Sequence, residues 1–489
     1  MLILLAQSMF VYAQPTPKQS ADGLSLGKES GWQRLTWQGI EVSTDLPVAT
    51  ANGLLRDLLL FKAALGEYLP KDAQRAELPL ELIMFSRRRD FLRLLRPRHF
   101  AAFTQPRLDR TVLIIAPAEG MSLRQNLFHE YVHFHLRSHS TGFPVWYDEG
   151  MAVFLGETTV SPAQQDQAEV VFGAPDGRQA EVHLPWSRII SADMPHAWRF
   201  PQLSAFYKQS GELARWLHHS AAAGLTDRSG LLDGLHALDV PRLVQETGTQ
   251  DISKLLRQHR RSVAQVRRRV VVAEPPPPPP WQALDRFAKN RLLGSLALDA
   301  NPKAGRRMFR QNLKALSGQT GVAAAELRWR THLDLSRASL RLGQREDAED
   351  YQRLASTFAP SHPDTLIQSA VLASNNCWPS TSAACAPRWA GAAEQLRRAL
   401  QQAPTRLDAV YLLGMSELYR GRPGLALNYI RVIHQHLPWV PSVNYHLGES
   451  LRLVGDMQAR TYLKQARDWS NDALWRQVAE RALALLPES

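Results

Sequence analysis

The sequence predicts an α/β domain followed by an all-α helical solenoid. Three observations carry that expectation. Strand-like and helix-like segments alternate through the first half, a run of six prolines interrupts the chain, and the second half is helical with a 34-residue recurrence. The 489 residues are 44% apolar and 21% charged, so the chain can bury a sizeable core. On the usual size of domains it has room for about two to four.

The chain begins MLILLAQSMFVYA, a mostly apolar stretch ending in the small-x-small triplet Val11-Tyr12-Ala13, and continues into polar, proline-containing sequence. Residues 1–13 therefore read as a signal peptide, which predicts a soluble periplasmic or secreted protein. The alternative is the buried first element of a cytoplasmic protein. No stretch reaches 18 apolar residues, so no integral membrane span is expected.

The elements that follow are read in order. "WQGIEVSTDLP" alternates as a short strand, and residues 51–69 carry Leu54, Leu55, Leu58, Leu59, Phe61 and Leu65 at helical spacing. "LELIMF", between Pro79 and Ser86, is a strand, and residues 86–95 are a helix. "TVLIIA", residues 111–116, is a second apolar strand stopped by Pro117. It is either an edge that pairs with extended substrate or an internal strand. Ser122 and Gln125 form a capping box that opens the next helix. Further helices are expected at 145–156 and 203–219, with helical patterning to about Arg269. Pro275 to Pro280 predict a stiff polyproline spacer. The predicted organisation is thus a first domain over residues 32–270, a linker over 271–281 and a helical repeat domain over 282–489.

In the second half, "YLLGMSELYRGRPGLAL" and "YHLGESLRLVGDMQART" place Gly414 and Gly448 in matching contexts, 34 residues apart (448 − 414). Ala348 to Pro360 and Ala426 to Pro438 repeat a 12-residue spacing. These features resemble tetratricopeptide repeats, which implies stacked helix pairs with a groove for a partner protein. The alternative is an unrelated helical bundle. One unit, residues 363–406, is ten residues too long, and the excess contains the only cysteines, Cys377 and Cys385. The insert reads as a loop between two helices that a disulfide would tie off in an oxidising compartment.

The chemistry lies in "LRQNLFHEYVHFHLRSH". On a helix His129 and His133, four apart, share one face, and Glu130 adjoins the first. That pattern suits a metal ion with a carboxylate placed to take a proton from water. Sixteen residues beyond His133, "FPVWYDEGMAVFLGE" supplies Glu149 on a second helix. Taken together, His129, Glu130, His133, Pro144, Trp146, Glu149, Gly150 and Ala152 resemble gluzincin-type zinc metallopeptidases of the peptidase-MA-like group. Tyr147 and Asp148 depart from the aminopeptidase version, which has leucine and asparagine there. The resemblance, over about residues 37–219, implies a zincin-like α/β fold with Zn2+ held by His129, His133 and Glu149. Glu130 would be general base and then general acid.

"FYKQSGELARWL" resembles a helix that follows in these families. It implies Tyr207 as a hydrogen-bond donor to the oxyanion, the alternative being a packing position. Asp148 either orients a ligand histidine or caps its helix. His135 and His139 lie off the ligand face and read as packing or solvent positions, and His218 and His219 as surface histidines.

A net charge of +12 favours anionic surroundings, but the arginines are scattered. Arg87–Arg89 and Arg267–Arg269 lack the interleaved aromatics of a nucleic-acid groove, so no nucleic acid is expected. Two readings remain. The first is an exported zinc-dependent peptidase acting on peptide or protein substrate, with repeats that recruit it. The alternative is a non-catalytic cell-envelope scaffold that binds partner proteins through the repeats.

Overall fold

The computed structural model describes residues 31–69, 78–96, 102–118, 121–139, 144–163, 166–173, 182–190, 200–222, 268–378, 382, 384–470 and 473–487. The expected signal peptide lies outside them. A six-stranded sheet runs in the order β4-β5-β3-β2-β1-β9. Its strands are β1 (Gln33–Trp37), β2 (Ile40–Thr44), β3 (Leu80–Met84), β4 (Ala102–Pro106), β5 (Thr111–Ile115) and β9 (Gln282–Ala283). The strands β2, β3 and β5 are parallel, and β4, β1 and β9 pair antiparallel to their neighbours. A smaller antiparallel sheet joins β6 (Thr159–Pro162), β7 (Gln167–Phe172) and β8 (Arg268–Ala273).

The segment read as one strand around Ile40 is a hairpin. Gln38 and Gly39 both have positive φ, 49° and 78°, which makes the two-residue turn that matches strand twist. Strand β5 is internal, and the edge beside it is β4, a strand that the sequence pattern does not announce.

Apolar runs in β3 and β5 follow from burial on both faces. Leu82, Met84, Leu113 and Ile115 point to one core, where helix α1 (Val48–Tyr68) and helix α3 (Leu123–His139) stack Phe61 on Phe128 at 4.2 Å. Ile83, Val112 and Ile114 point to the other. There they meet Phe91 and Leu94 of α2 (Arg88–Leu95), and Leu292, Leu293 and Leu296 of α7 (Arg286–Ala297).

That second core includes a helix that follows the proline run. The prolines run from β8 of the small sheet to β9 of the large one, and α7 then closes the sheet's back face. At either end of the proline run a polar contact pins the strap to α1. Arg56 Nε donates to Glu274 at 2.8 Å, and Trp281 Nε1 donates to Asn52 at 2.9 Å. Strand β8, residues 268–273, takes in the end of the helical patterning expected to about Arg269 and the start of the expected linker. Its partner β7 offers an apolar face on Ala168 and Val170, against which Val270 and Val272 alternate inward.

From α7 onward the chain is a stack of helix pairs. They are α7 with α8 (Pro302–Ala315), α9 (Val322–Arg341) with α10 (Arg345–Phe358), and α11 (Pro363–Ser374) with α12 (Ala386–Gln402). Next come α13 (Leu407–Tyr419) with α14 (Pro423–His436), and α15 (Pro441–Val454) with α16 (Ala459–Asp468), before α17 (Ala473–Ala484). The starts of α13 and α15 are 34 residues apart (441 − 407). The repeated glycines permit close pairing. A Cβ on Gly414 would lie 2.9 Å from Ile430 of α14, and one on Gly448 would lie 2.8 Å from Leu463 of α16. Cys377 and Cys385 are bonded across the loop between α11 and α12.

Two buried clusters join the two halves. At the tip of the β4–β5 hairpin Leu108 is 1% exposed and clusters with Leu340 and Leu366 of the repeats. Gln105 of β4 donates to Asp299 at 2.8 Å, and Arg107 is buried. The first helix of each pair is enclosed to match: eleven of the 13 residues of α13 are buried, against four of 14 in α14. The first helices are therefore largely enclosed within the chain, and exposed apolar groups lie on both kinds of helix: Leu354 and Phe358 of α10, Leu425 and Val432 of α14, Val322 of α9, and Leu453 and Val454 of α15. Among the described residues no helix is long and apolar enough to cross a membrane.

Toward the C-terminal end of this stack His446 is fully buried among Trp378, Tyr411, Tyr419, Tyr445 and Trp475. Trp378 is delivered by the disulfide loop. Nδ1–H of His446 donates to the Ser442 carbonyl at 2.8 Å, and Nε2 accepts from Trp378 Nε1 at 3.3 Å. Burial pushes its pKa down to about 3. The unfolded histidine takes up a proton near its ordinary pKa of about 6.5, whereas the folded one does so only near 3. Stability is therefore complete above pH 6.5 and falls as the pH drops from 6.5 to 3, by about 1.4 kcal/mol per unit at most. Denaturant midpoints between about pH 7 and about pH 4 should show this slope in the wild type and a shallower one in His446→Gln. Equal slopes would exclude His446 as the cause.

Candidate metal centre

Helix α3 is set by its cap and its buried sides. Ser122 Oγ accepts from Gln125 N at 3.1 Å, while Gln125 Oε1 accepts from Ser122 N at 2.9 Å, the reciprocal capping box. Leu127, Phe128, Tyr131 and Val132 lock it into the core. Helix α4 (Val145–Gly156) starts at Pro144, whose carbonyl accepts from Tyr147 N at 2.9 Å and Asp148 N at 3.1 Å. It packs through glycine against α6 (Phe200–Ala222), which comes after the short α5 (Trp186–Ile190) in the chain. A Cβ on Gly150 would lie 2.7 Å from the carbonyl carbon of Ser210, and one on Gly211 2.7 Å from Val153 Cγ1. Gly156 sits beside His129, where a Cβ would reach the histidine's own Cβ at 3.4 Å. Glycine at these positions thus lets α4 approach both α6 and the histidine helix.

These approaches bring His129, His133 and Glu149 together. The two Nε2 atoms are 3.2 Å apart, and Glu149 Oε2 is 3.6 Å from His129 Nε2 and 3.4 Å from His133 Nε2. Each residue offers a ligand atom within 4.8 Å of the others. A tetrahedral zinc ion with ligands at about 2.0–2.1 Å sets neighbouring donors about 3.3 Å apart, so this triangle fits one ion. Glu149 Oε2 is buried and makes no hydrogen bond of ordinary length among the described residues, as suits an atom directed at a cation.

Charge around the triangle is organised by Asp148. Its Oδ1 lies 2.9 Å from His133 Nδ1, and its Oδ2 accepts from Arg137 at 2.8 Å. It makes no helix-capping bond, so of the two roles open to it the geometry favours orienting His133. Burial opposes charge on all these groups. Asp148 and Glu149 outweigh it at His133 and hold that imidazole's pKa at about 10. Arg137 and His133 outweigh it at Asp148 and bring that carboxyl down to about 2. Glu149 is likewise held well below the usual carboxylate range, against its burial, by His133. Metal binding would displace the proton from His133.

Glu130 is buried beside the edge strand, where Thr104 Oγ1 of β4 donates to Glu130 Oε2 at 2.8 Å. Tyr207, on α6, sets its ring 6.4 Å from that of His129, edge-on. Burial and then the charges of Glu149 and Glu130 raise its pKa well above the ordinary phenol value, so it remains an O–H donor. Two residues along, Gln209 clamps the backbone of Leu184, accepting from N at 2.8 Å and donating to O at 3.0 Å.

His135 is buried, and the side chains of His139 and His219 lie outside the described residues. The surface expectation for His218 is corrected. It is buried and pairs with the Tyr147 hydroxyl at 2.7 Å, because α6 turns that face onto α4 and Tyr68. Sequence reasoning missed Thr104, which sits on the unread edge strand, and Arg137, whose spacing of four beyond His133 was the available signal.

No family model and no curated protein matches the chain. Part of the chain is similar to several solved structures. One is a thermophilic TPR protein of Thermus thermophilus, 16% identical with a TM-score of 0.33, aligned over 41% of this chain and 100% of that one. Another is PilF of Pseudomonas aeruginosa, 16% identical with a TM-score of 0.31, over 41% and 87%. A third is MamA of Desulfovibrio magneticus, 14% identical with a TM-score of 0.28, over 38% and 96%.

Proposed function

We propose that the protein is a zinc-dependent peptidase whose repeat half supports the α/β half. The single observation that carries this reading is the triangle of His129 Nε2, His133 Nε2 and Glu149 Oε2, with Glu130 beside it in hydrogen-bond contact with Thr104. A site that only stabilises a fold needs ligands; it has no use for an adjoining carboxylate or an edge strand. His129, His133 and Glu149 would hold the zinc, which supplies Lewis acidity to a peptide carbonyl and to water. Glu130 takes the proton of the attacking water and passes it to the leaving amine. Thr104 fixes the carboxylate that does so. Tyr207, kept protonated, donates to the oxygen that gains negative charge. Among the described residues no strand pairs with the outer edge of β4, which would leave it open to an extended substrate.

Cleavage of unfolded casein should disappear when the protein is stripped with a strong chelator and return when zinc, but not magnesium, is restored. Cleavage unaffected by chelation would remove the metal from the reaction.

A second reading, a partner-binding scaffold with no catalysis, is favoured by the stack of helix pairs over residues 286–484. It places the partner on α10, α12, α14 and α16, because the inner helices are enclosed. A pull-down that depends on Leu354, Phe358 and Val432 and ignores zinc would support it.

A further inference from the structure

One contact joins the repeats to a neighbour of the metal triangle. Trp439 lies in the connection between α14 and α15, and the Arg137 guanidinium sits over its ring, 5.3 Å from the centroid. From Arg137 the path is short. Its NH2 donates to Asp148 Oδ2 at 2.8 Å, Asp148 Oδ1 meets His133 Nδ1 at 2.9 Å, and His133 Nε2 faces both other donors.

We infer that Trp439 is a positioning residue for the metal site and that the repeats set zinc affinity through Trp439, Arg137 and Asp148. This rests on the metal reading above. The physical case has three steps. The Arg137 side chain is 28% exposed and, free of the indole, could swing to solvent; the indole face holds it by cation–π attraction and by contact area. Held there, Arg137 presents its planar fork to Asp148 and fixes which oxygen is left for His133. Asp148 then accepts from Nδ1–H of His133, which directs the Nε2 lone pair at the triangle. Trp439 is also attached to the repeat core, partly buried against the cluster that contains Leu437 and Val440. Movement of the α14–α15 connection would therefore be felt at His133. Because coupling is reciprocal, zinc would tighten the seat of Trp439 in turn.

The test is zinc affinity of the full chain, measured by competition with a chromophoric chelator. Loss of an outer-sphere partner of a metal ligand costs about 10–100-fold in affinity, and Arg137→Ala should fall in that range. Trp439→Ala should lose about three- to tenfold, and Trp439→Phe, which keeps a ring face, should recover most of it. The double variant Arg137→Ala/Trp439→Ala should be no weaker than Arg137→Ala alone, since both act along one path. The rise in melting temperature on adding zinc should shrink in Trp439→Ala by the corresponding amount. Wild-type affinity in Trp439→Ala, or losses that multiply in the double variant, would overturn the coupling while leaving the zinc site intact. A wild type that binds no zinc would overturn the metal reading and the coupling with it. Should Trp439→Ala fail to fold, Arg137→Lys decides. It keeps the charge but not the fork, so several-fold weaker zinc is expected, and unchanged affinity would overturn the path.

Discussion

Glu130→Gln should abolish peptide hydrolysis and leave zinc content unchanged. The expected loss in kcat/KM is about 10²–10⁴-fold, the usual share of a positioned general base. The substitution is nearly isosteric, and the amide oxygen it introduces can still accept from Thr104, as Glu130 Oε2 does at 2.8 Å. What it removes is the ability to take a proton. Glu130 is not part of the donor triangle, which consists of His129, His133 and Glu149, so the metal should stay. Steady-state cleavage of casein and a fluorogenic peptide, alongside metal analysis of the same samples, checks both halves of the expectation. Equal cleavage by variant and wild type would transfer support to the scaffold reading, in which Glu130 has no task.

Ending the chain after Ala273 should destroy the α/β half rather than release it. The cut removes β9 and all of α7, so Ile83, Val112 and Ile114 would face water. Leu284, Leu292, Leu293 and Leu296 of the removed segment are each nearly fully buried. At roughly 1.5–3 kcal/mol for each such side chain, their loss approaches the whole stability of an ordinary domain, about 5–15 kcal/mol. Arg107 and Leu108, buried under the repeats, would be uncovered as well. The truncated protein is expected to lack near-ultraviolet circular dichroism and a cooperative thermal transition. A soluble fragment that unfolds cooperatively near the wild-type temperature would mean that the two halves are separable after all.

The contrast between these two expectations reflects what a sequence can carry. His129 and His133 were legible because helical geometry fixes the relation of positions four apart, and Glu149 because Pro144 restarts a helix a short way on. The matching contexts of Gly414 and Gly448 were legible because each repeat makes the same helix-to-helix contact. Thr104 was hidden because β4 is short and owes its existence to pairing with β5. The proline run has the composition of a spacer, and only the contacts of Glu274 and Trp281 with α1 make it a strap. The inner faces of the repeats read as apolar whether a partner or the chain's own hairpin covers them. Trp439 and Arg137, 302 residues apart (439 − 137), meet through tertiary structure alone. Asp148 was half legible: its place beside Glu149 pointed to two roles, and the structure puts its carboxylate against His133.

X-ray absorption at the zinc edge, on the zinc-loaded full chain and on Glu149→Ala, tests the donor triangle most directly. The wild type should show two imidazole nitrogens and a carboxylate oxygen at about 2.0–2.2 Å, and the variant should lose that oxygen and bind zinc at least about tenfold more weakly. A wild-type shell without two imidazoles, or a variant with the same spectrum and affinity as its parent, would contradict it.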